Sequence, residues 1–503
     1  MSIQRIAVIG AGTMGRGIVQ LFAQAGYSVR CYDAVEGAAQ KAIEFVRELI
    51  ERAVAKQRYS PDEGAAIIAR MSACLQLEEL VGCDLAIEAV VENLEVKREL
   101  FRRLEALLGE KAILASNTSS LMIAEIAAGC SRPQRVAGLH FFNPVPLMKV
   151  AEVIAAVRTE PAVISALTTA VEAAGHRAVV AADQPGFLVN HAGRGLYTEG
   201  LRILEEQVAS AEDVDTLMRE AAGFRMGPFE LLDLTGLDVS GKVMESIYQQ
   251  FYQEPRFRPS PLVAPRIAAG LYGRKTSEGW YRYTDNQKQA NERTGVPAIN
   301  AELSVWVDPA ASDYERLQGL VLEAAMESAA SPAAADVLVV QFWGNDLARY
   351  CAEQGLDASR AVAVDPLPGL DRRRTLMLSS ITRAVVRDAA WAMLAGQDVP
   401  VTVINDSVGF VLQRVLASIV NIAADIAQRG IASVADIEDA VRLGLGYPRG
   451  PLSLGDALGG QRVLTILQGL HRLTGDPRYR PSPWLARRVA LGQSLLSEEA
   501  ARQ

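Results

Sequence analysis

Short runs of β-branched and other apolar residues alternate with helical hydrophobic periods through the first 182 residues of the chain. Such alternation predicts strands joined by crossover helices, because each helix of a parallel sheet buries one apolar face against the strands. The predicted strands are residues 5–9, 28–32, 84–88, 112–115, 136–141 and 178–182. We therefore predict an α/β fold that begins with a doubly wound Rossmann domain over residues 1–182.

The pattern changes after Asp183. From residue 186 to about residue 272, apolar positions follow helical spacing, with breaks at Gly223, Gly227, Pro228 and Pro255. No convincing strand pattern occurs in this stretch. The sequence therefore predicts a separate all-α domain over residues 183–285.

The all-α segment is repeated later in the chain. The motif DQPGFLVN at residues 183–190 returns as DSVGFVLQ at residues 406–413, and MGPFELLD at 226–233 returns as RGPLSLGD at 449–456. The two motifs are equally spaced in both copies, and RFRPSP at 256–261 returns as RYRPSP at 478–483. A repeat of this kind indicates a duplicated structural module. We predict a second copy of the all-α domain over residues 405–503.

The segment between the two copies has the pattern of a shortened βαβ unit. Residues 336–342 are typical of a strand, which is followed by the turn Trp343, Gly344 and Asn345, a helix to about residue 355, and a strand that ends at Asp365. A βαβ pattern can arise by chance, but its place before the second all-α copy favours a decayed duplicate of the first domain. Only Gly344 would then remain of the glycine pattern. We predict a degenerate Rossmann-like domain over residues 300–404, after a linker around residues 285–310 that includes Asn291.

Composition and charge restrict the class of protein. The 503 residues carry a net charge of -8, with 50% hydrophobic and 22% charged residues, which is typical of a globular protein and argues against a nucleic-acid or anionic-membrane partner. Five scattered cysteines without metal-ligand spacing are typical of buried thiols in a reducing compartment. No apolar run approaches the ~18 residues of a membrane span, and the first strand begins too early for a signal peptide. We expect a cytoplasmic protein with no metal site.

A glycine-rich turn follows the first predicted strand. Gly10, Gly12 and Gly15 form the GxGxxG pattern, in which the glycines permit a tight turn, the approach of a pyrophosphate, and close packing of helix on strand. The helix that begins with Thr13 and Met14 offers backbone N–H groups to the phosphates. The pattern predicts a dinucleotide site, and the alternative is a glycine turn that binds nothing.

The choice of dinucleotide depends on the second strand. Asp33 ends that strand at the distance expected of a ribose ligand. No Arg or Lys follows it directly to neutralise a 2′-phosphate. The sequence therefore favours NAD over NADP.

Two further strand ends carry polar residues. Glu92 follows the third predicted strand, with Lys97 one turn into the next helix, and strand ends are where α/β sheets gather ligand contacts. An exposed pair of charges is an equally good interpretation of Glu92 and Lys97. The fourth strand ends in SNTSS, which contains Asn117 and Ser119 and supplies hydroxyl and amide groups for the same crevice or for capping the next helix.

His140 is the strongest candidate for catalysis. It lies at the carboxyl end of a predicted strand, is followed by Asn143, and has Glu152 on the next apolar segment. A base that takes a hydroxyl proton as hydride leaves carbon works best when its pKa is near neutral. A carboxylate on the other ring nitrogen of the histidine would fix the tautomer. Asn190 opens the first all-α domain, where it could donate to a substrate carbonyl, whereas the repeat carries Gln413. A structural core histidine is the alternative, but the position favours one catalytic and one structural copy.

With these residues in place, the chain resembles the NAD-dependent L-3-hydroxyacyl-CoA dehydrogenases, and more closely the longer 3-hydroxybutyryl- or 3-hydroxyadipyl-CoA type of bacterial phenylacetate breakdown. The likeness covers residues 3 to about 285 well and the second all-α copy moderately. The motifs that occur in family order are GAGTMG, EAVVENLEVK, SNTSSL, GLHFFNPVP, PGFLVN and MGPFELLD. The resemblance implies reversible oxidation of a (3S)-3-hydroxyacyl-CoA to the 3-oxoacyl-CoA, with NAD as cofactor.

The same resemblance implies roles for individual residues. It makes His140 the general base, Glu152 its partner, and Ser119 and Asn190 the contacts to the oxygen atoms of the substrate. Near the cofactor it places Asp33 at the adenosine ribose, together with Glu92, Lys97, Asn117 and Asn143. His191 stands where many relatives carry an arginine, and the basic residues 47–58 are implied to contact CoA.

The resemblance also bears on assembly and on the alternatives. Helical domains of this family commonly pair with a copy on another chain, so we expect the two all-α copies to pair within one polypeptide, with a homodimer as a further arrangement. One alternative function is a dehydrogenase of a free hydroxy acid such as gulonate. The other is an NAD-responsive protein without catalysis.

Overall fold

The first sheet has eight strands and belongs to the first of two units. The computed structural model describes residues 3–289 and 295–499. Contacts divide the chain into one unit of Met1–His191 with Arg429–Gly446, and another of Ala192–Gln428 with Tyr447–Gln503. The sheet order is β3-β2-β1-β4-β5-β6-β7-β8. Its strands are β1 (Arg5–Ile9), β2 (Ser28–Tyr32), β3 (Met71–Cys74), β4 (Leu85–Glu88), β5 (Ile113–Ser116), β6 (Val136–Phe141), β7 (Val150–Ala155) and β8 (Arg177–Ala182).

Helices cover both faces of this sheet. The strand β1 shows why, because Ile6 and Val8 lie in one buried cluster, whereas Ala7 and Ile9 lie in another on the opposite face. A strand that is apolar on both faces needs a layer of helices on each side. The helices are α1 (Thr13–Gln24), α2 (Ala38–Ala55), α3 (Pro61–Ala69), α4 (Leu94–Leu107), α5 (Ile123–Ala127), α6 (Pro161–Ala173) and α7 (Val189–Ala192).

Two strands of the first sheet were not predicted, and one of them changes the topology. The edge strand β3 has only four residues, and β7 was interpreted as an apolar segment. The doubly wound sheet is not parallel throughout, since β7 runs antiparallel to β6 and pairs parallel with β8. The connection at residues 142–149 contains no helix and is shorter than the dozen or more residues that a parallel crossover needs.

The first all-α copy belongs to the second unit. The helix α8 begins after Gly193, and two later helices begin at residues that suit a helix start, Ser210 before α9 and Pro228 in α10. The elements are α8 (Arg194–Glu205), α9 (Ala211–Glu220), α10 (Pro228–Thr235), α11 (Leu237–Gln250) and α12 (Val263–Ala268), followed by a short hairpin of β9 (Tyr283–Thr284) and β10 (Gln287–Lys288). Of the predicted linker, residues 290–294, which include Asn291, lie outside the described residues.

A second sheet follows, and it is larger than the single βαβ unit expected. Its order is β12-β11-β13-β14-β15-β16, and β15 runs antiparallel to β14 and parallel to β16, as β7 does with β6 and β8. The elements are β11 (Ser304–Val307), α13 (Tyr314–Glu323), β12 (Glu327–Ser328), β13 (Val337–Val340), α14 (Leu347–Gln354), β14 (Ala361–Val364), β15 (Arg374–Leu378), α15 (Ala384–Leu394) and β16 (Val401–Asn405).

The turn at Gly344 does not correspond to the glycine turn of the first sheet. In the first unit, the carboxylate of Asp183 accepts hydrogen bonds from the backbone N–H groups of Ile123 and Ala124 at the start of α5. The repeated Asp406 accepts the same pair of bonds from the first two residues of α14. The helix α14 is therefore the counterpart of α5, and the interpretation of Gly344 as a remnant of the glycine pattern is wrong.

The second all-α copy contains the longest helix of the second unit among the described residues. Its elements are α16 (Val411–Gln428), α17 (Val434–Gly444), α18 (Pro451–Leu458), α19 (Gly460–Thr474) and α20 (Pro483–Ala490). The helix α16 is long and apolar enough to cross a membrane by length and composition, which corrects the expectation that no segment approaches that length. However, 83% of it is buried, and it packs against α8, α18, α19 and α20, as the core helix of a folded domain does.

The segment 429–446, which contains α17, belongs to the repeat by sequence and to the first unit by its contacts. The carbonyl of Ile431 accepts a hydrogen bond from the backbone N–H of Ala182 at 2.8 Å, and α17 packs against β7 and β8. The segment 429–446 thereby covers the edge strand β8. The second unit has a reciprocal arrangement, in which the backbone N–H of Asn405 on β16 donates to Val208 of the first copy at 2.9 Å.

Candidate active site

An imidazole and a carboxylate meet at the carboxyl end of β6. His140 on β6 and Glu152 on β7 are register partners, and both side chains are buried. The Nδ1 atom of His140 lies 2.5 Å from Oε2 of Glu152. The other oxygen, Oε1, accepts hydrogen bonds from the backbone N–H groups of Leu188 and Val189, each at 2.8 Å. With Nδ1 held by the carboxylate, Nε2 is the nitrogen that can exchange a proton with a substrate.

The polar loop after β5 is fixed by one carboxylate. Oε1 of Glu92 accepts hydrogen bonds from Oγ1 of Thr118 at 2.5 Å, from Oγ of Ser120 at 2.9 Å, and from the backbone N–H groups of Ser119 and Ser120 at 3.2 Å. Oγ1 of Thr118 also accepts from the backbone N–H of Leu121. Thr118 thus supplies the local turn capping, while the half-exposed Ser119 is held in place through its backbone.

Lys97 is buried between two carboxylates, so the interpretation of Glu92 and Lys97 as an exposed pair is wrong. Its Nζ lies 2.6 Å from Oε1 of Glu88 and 3.2 Å from Oε2 of Glu92, and only 1% of the side chain is exposed. Burial, the largest influence, raises the pKa of Glu92, but the charge of Lys97 and the hydroxyls of Thr118 and Ser120 together hold that pKa below its usual value. A buried charge needs such partners to be stable.

Glu88 is a member of this network to which sequence reasoning gave no role. It is fully buried at the end of β4 and accepts hydrogen bonds from Oγ of Ser116 at 2.7 Å and from the backbone N–H of Val90 at 2.7 Å. The available signal was an acidic residue that ends an apolar strand. Such a residue needs a cation nearby, and Lys97 is the basic residue that the next helix supplies.

The three asparagines differ in their surroundings. Oδ1 of Asn117 accepts a hydrogen bond from the backbone N–H of Phe141 at 2.8 Å, which ties the end of β5 to the end of β6. Asn143 is exposed just beyond β6. Asn190 is half-buried on α7, directly after Val189, whose N–H contacts Glu152. Asn117 is therefore bonded to the residue that follows His140, and Asn190 follows a residue that is bonded to Glu152.

The glycine turn has the shape that a pyrophosphate needs. A Cβ atom on Gly15 would lie 1.7 Å from the carbonyl oxygen of Gly10, and Gly10 itself has a φ of +106°, so neither position accepts a side chain. A Cβ on Gly12 would meet nothing within 4 Å, which leaves open space in front of the start of α1. That helix has no acidic residue in its first turn to repel phosphate. Thr13 and Met14 form this first turn.

Asp33 is oriented by the same turn. Its Oδ2 accepts a hydrogen bond from the backbone N–H of Ala11 at 2.7 Å, and its Oδ1 accepts one from Val35 at 2.8 Å. A carboxylate held in this way at the end of β2 can still accept hydrogen bonds from ribose hydroxyls. The residues present therefore fit a dinucleotide, and a dinucleotide-binding sheet with a His–Glu pair at its carboxyl edge defines a dehydrogenase of alcohols or ketones.

Comparison with known proteins gives the family. Residues 5–184 match the 3-hydroxyacyl-CoA dehydrogenase NAD-binding domain, and residues 186–283 and 409–499 both match the C-terminal domain of that family. The chain belongs to the 3-hydroxyacyl-CoA dehydrogenase family. It is an NAD-dependent oxidoreductase with a Rossmann-like domain, which confirms the fold class, the enzyme class and the cofactor predicted from sequence.

Individual relatives cover the whole chain or its first part. The chain is 35% identical to 3-hydroxyadipyl-CoA dehydrogenase of Escherichia coli over 98% of both chains. It is 39% identical to the mitochondrial hydroxyacyl-coenzyme A dehydrogenase of Sus scrofa over 56% of this chain and 91% of that protein. A crystal structure of 3-hydroxybutyryl-CoA dehydrogenase from E. coli matches with a TM-score of 0.85 and 34% identity, over 98% of this chain and 99% of that one.

Proposed function

We propose that this enzyme reversibly oxidises a short-chain or adipyl (3S)-3-hydroxyacyl-CoA to the 3-oxoacyl-CoA, with His140 as general base. The observation that carries the assignment of the base is the buried contact of 2.5 Å between its Nδ1 and Glu152. Bound NAD supplies the acceptor for the hydride. Nε2 of His140 takes the hydroxyl proton, and the Glu152 carboxylate stabilises the resulting imidazolium.

The substrate is oriented by the two groups fixed next to this pair. We assign Ser119 and Asn190 to the oxygen atoms of the acyl group, because the first is held by Glu92 and the second follows the turn that holds Glu152. Holding the reacting carbon in line with the cofactor accounts for much of the rate in such reactions. The residues assigned to the cofactor are Gly10, Gly12, Thr13, Met14, Gly15, Asp33, Glu92, Lys97, Asn117 and Asn143.

The base is tested by replacing it beside a matched histidine. We expect His140→Ala to lower the rate of NADH-dependent reduction of acetoacetyl-CoA by about 10²- to 10⁴-fold, the usual contribution of a general base. The control is His471→Ala, since His471 lies on α19 in the second unit and should leave the rate within about two-fold. Equal rates in a correctly folded His140→Ala enzyme, judged by thermal melting, would rule out this mechanism.

The acyl group is the least determined part of the substrate. Two relatives that match nearly the whole chain are named 3-hydroxyadipyl- and 3-hydroxybutyryl-CoA dehydrogenase, which supports a short or dicarboxylic acyl chain and a place in phenylacetate or fatty-acid degradation. Specificity constants for acetoacetyl-CoA and 3-oxoadipyl-CoA would separate the two. Faster turnover of a free hydroxy acid such as gulonate than of any thioester would instead favour the first alternative.

We place the CoA moiety at the basic segment 47–58, which comprises the second half of α2 and the following turn. Arg52, Lys56 and Arg58 are exposed there, and Nη2 of Arg52 lies 2.9 Å from Oε2 of the similarly exposed Glu48. Exposed cations of this kind attract phosphates over several ångströms. Charge reversal at Arg52 and Lys56 should raise the KM for the CoA thioester more than it changes kcat.

The two all-α copies are proposed to pair in place of a partner chain, within a division of four domains at 1–182, 183–285, 300–404 and 405–503. Support comes from Gly195 on α8, where a Cβ would lie 2.9 Å from Cα of Ile419 on α16, and from buried Arg414, whose Nε lies 2.7 Å from Oε1 of Glu199. A chain truncated after residue 286 would then expose this surface and self-associate in light scattering. A monomeric, fully active truncated chain would contradict the pairing.

We also propose a cytoplasmic location. Four of the five free cysteines are buried, and Cys130, which was expected to be buried as well, is partly exposed. Burial raises the pKa of the Cys31 thiol to about 12, which keeps it unreactive. Free thiols without a disulfide partner suit a reducing compartment, and cell fractionation tests the location.

A further inference from the structure

The turn that holds Glu152 is covered by a helix from the second half of the sequence. The backbone N–H groups of Leu188 and Val189 donate to Oε1 of Glu152. The side chain of Val189 faces Gly444, the last residue of α17, where a Cβ would lie 3.0 Å from Cγ2 of Val189 and 3.6 Å from Cγ1 of Val150. Gly444 therefore fits closely against Val189, whose N–H holds the carboxylate, and contacts Val150, which lies two residues before Glu152 on β7.

The helix α17 is fixed to the first unit by polar contacts on β8. Nη2 of Arg177 lies 2.7 Å from Oδ1 of Asp436, and its Nε lies 2.9 Å from Oδ2 of Asp439. The hydrogen bond from Ala182 to the carbonyl of Ile431 adds a backbone contact at the start of the segment. These contacts fix the distance of α17 from the sheet and its rotation about the helix axis. The position of Gly444 relative to Val189 is thereby determined.

We propose that α17 is a positioning element of the active site, which sets the turn at residues 188–190 and thereby the carboxylate of Glu152 and the side chain of Asn190. The inference rests on the proposed function, because it acts through His140 and its partner. It gives the second half of the chain a part in catalysis. The helix acts by packing against Val189.

The reasoning depends on how little room the contact leaves. The backbone at Gly444 is helical, so a larger residue is not excluded by conformation, but any side chain must displace Val189 by at least a few tenths of an ångström. A displacement of Val189 moves the N–H that holds Glu152, and it moves Asn190, the next residue. Misplacement of a reacting group by about 1 Å can lower a rate about 100-fold.

The test is Gly444→Val in the full-length enzyme. We expect kcat for acetoacetyl-CoA reduction to fall about 10- to 100-fold, while KM for NADH stays within about two-fold, because the dinucleotide turn is remote from α17 in sequence and lies on other strands. The acid limb of the pH–rate profile should also move, since the carboxylate no longer faces the imidazole in the same way. In the protein without cofactor, the ring signals of His140 in nitrogen-labelled histidine spectra should shift.

A rescue variant separates positioning from simple loss of stability. Val189→Ala removes the atoms that a valine at position 444 would meet and keeps the backbone N–H. The double variant approximately conserves the volume at the contact, so we expect it to recover at least half of the lost kcat on a logarithmic scale. If Gly444→Val does not fold, the smaller change Gly444→Ala and its pair with Val189→Ala repeat the test.

The repeat offers a matched control. It aligns Ala221, a buried residue at the end of α9, with Gly444. Ala221→Val makes a comparable change in the second unit, where the neighbouring Arg373 binds Glu220 at 2.7 Å. The sequence of residues 300–404, which form the second sheet, contains no histidine. We expect Ala221→Val to lower the melting temperature by a similar amount and to leave kcat, the pH–rate profile and the His140 signals unchanged.

The outcomes distinguish the inference from the function on which it rests. A wild-type enzyme without activity on any 3-oxoacyl-CoA would contradict the proposed function. An active wild type with a folded Gly444→Val variant of normal kcat and normal His140 signals would overturn the positioning role alone. Equal losses of kcat in Gly444→Val and Ala221→Val, or no rescue by Val189→Ala, would overturn it as well.

Discussion

The proposed catalytic pair of the first sheet, His140 and Glu152, has a counterpart in the second sheet, and the residues there are different. Asp183 and its repeat Asp406 each lie four residues after a strand residue, Val179 on β8 and Thr402 on β16. The strand register pairs Val179 with Glu152 on β7 and Thr402 with Thr375 on β15. Across the next strand, Glu152 pairs with His140, whereas the backbone N–H of Asp365 donates to the carbonyl of Thr375. The register therefore aligns Asp365 with His140 and Thr375 with Glu152.

The second location is used to hold the fold together. Oδ1 of Asp365 accepts a hydrogen bond at 3.0 Å from Nε2 of Gln413, the counterpart of Asn190, and Gln413 also accepts one from the backbone N–H of Gly344. Among the described residues, Oδ2 of Asp365 and Oγ1 of Thr375 are buried without a hydrogen-bond partner. The comparison teaches that the two sheets share a scaffold at this site, while the buried contact between His140 and Glu152 in the first is replaced in the second by hydrogen bonds that hold a turn.

The largest expected contrast is between Glu152 and its counterpart in the second sheet, Thr375. Glu152→Gln removes the buried charge that stabilises an imidazolium, so we expect kcat to fall about 100-fold. Thr375→Val removes only a hydroxyl that has no partner and should leave kcat unchanged. Steady-state reduction of acetoacetyl-CoA measures both, and a loss in the second variant equal to the first would end the distinction between the halves.

A smaller contrast concerns the loops that follow β5 and β13. Glu92 holds the first loop and Gln413 the second, so Glu92→Gln should lower kcat/KM for NADH about ten-fold, through looser placement of Ser119 and Lys97. Gln413→Ala should cost about 1–3 kcal/mol of unfolding free energy with little change in activity. Urea titration with parallel kinetics separates the two effects. If Gln413→Ala reduced activity more than stability, the second loop would have a functional role.

The smallest contrast is in the pH dependence of stability. Burial raises the pKa of Asp365 to about 7, against 3.8 when free, so the folded state binds more protons between these values. Its contribution to stability is then complete below about pH 4 and is lost as the pH rises towards about 7. Asp365→Asn, which resembles the protonated form, should match the wild type at about pH 4 and exceed it at pH 8 by more than about 2 kcal/mol in urea unfolding. An identical difference at both pH values would contradict this.

The sequence predicted best where a strand has a strong apolar pattern. The strands β1, β2 and β6 have their predicted bounds, because their β-branched and apolar residues are flanked by turn residues. The strand β3, with Met71, Ser72, Ala73 and Cys74, has weak strand preference and is held in place by pairing with β2. Pairing of this kind depends on the rest of the sheet and is not visible in a local pattern.

Buried charges explain most of what sequence reasoning missed. The strand β15 begins with Arg374 after two further arginines, which is typical of a surface segment. In the structure Arg374 is 1% exposed, and its guanidinium donates to the carbonyls of Leu370, at 2.8 Å, and Gly396, at 3.0 Å. The buried contact of Lys97 with Glu88 was missed for the same reason, because a charge can be buried only when its distant partners are known.

The place of α17 has a consequence for how the protein is made. The ribosome completes the first sheet early, but Arg429–Gly446, the final part of that unit, is translated only after the second sheet. Domains generally fold in order of synthesis, so the nascent chain must keep the edge of β8 from associating wrongly until that late segment emerges. We therefore expect the first unit to complete its folding after release of the full-length polypeptide, and not when its first 191 residues have emerged.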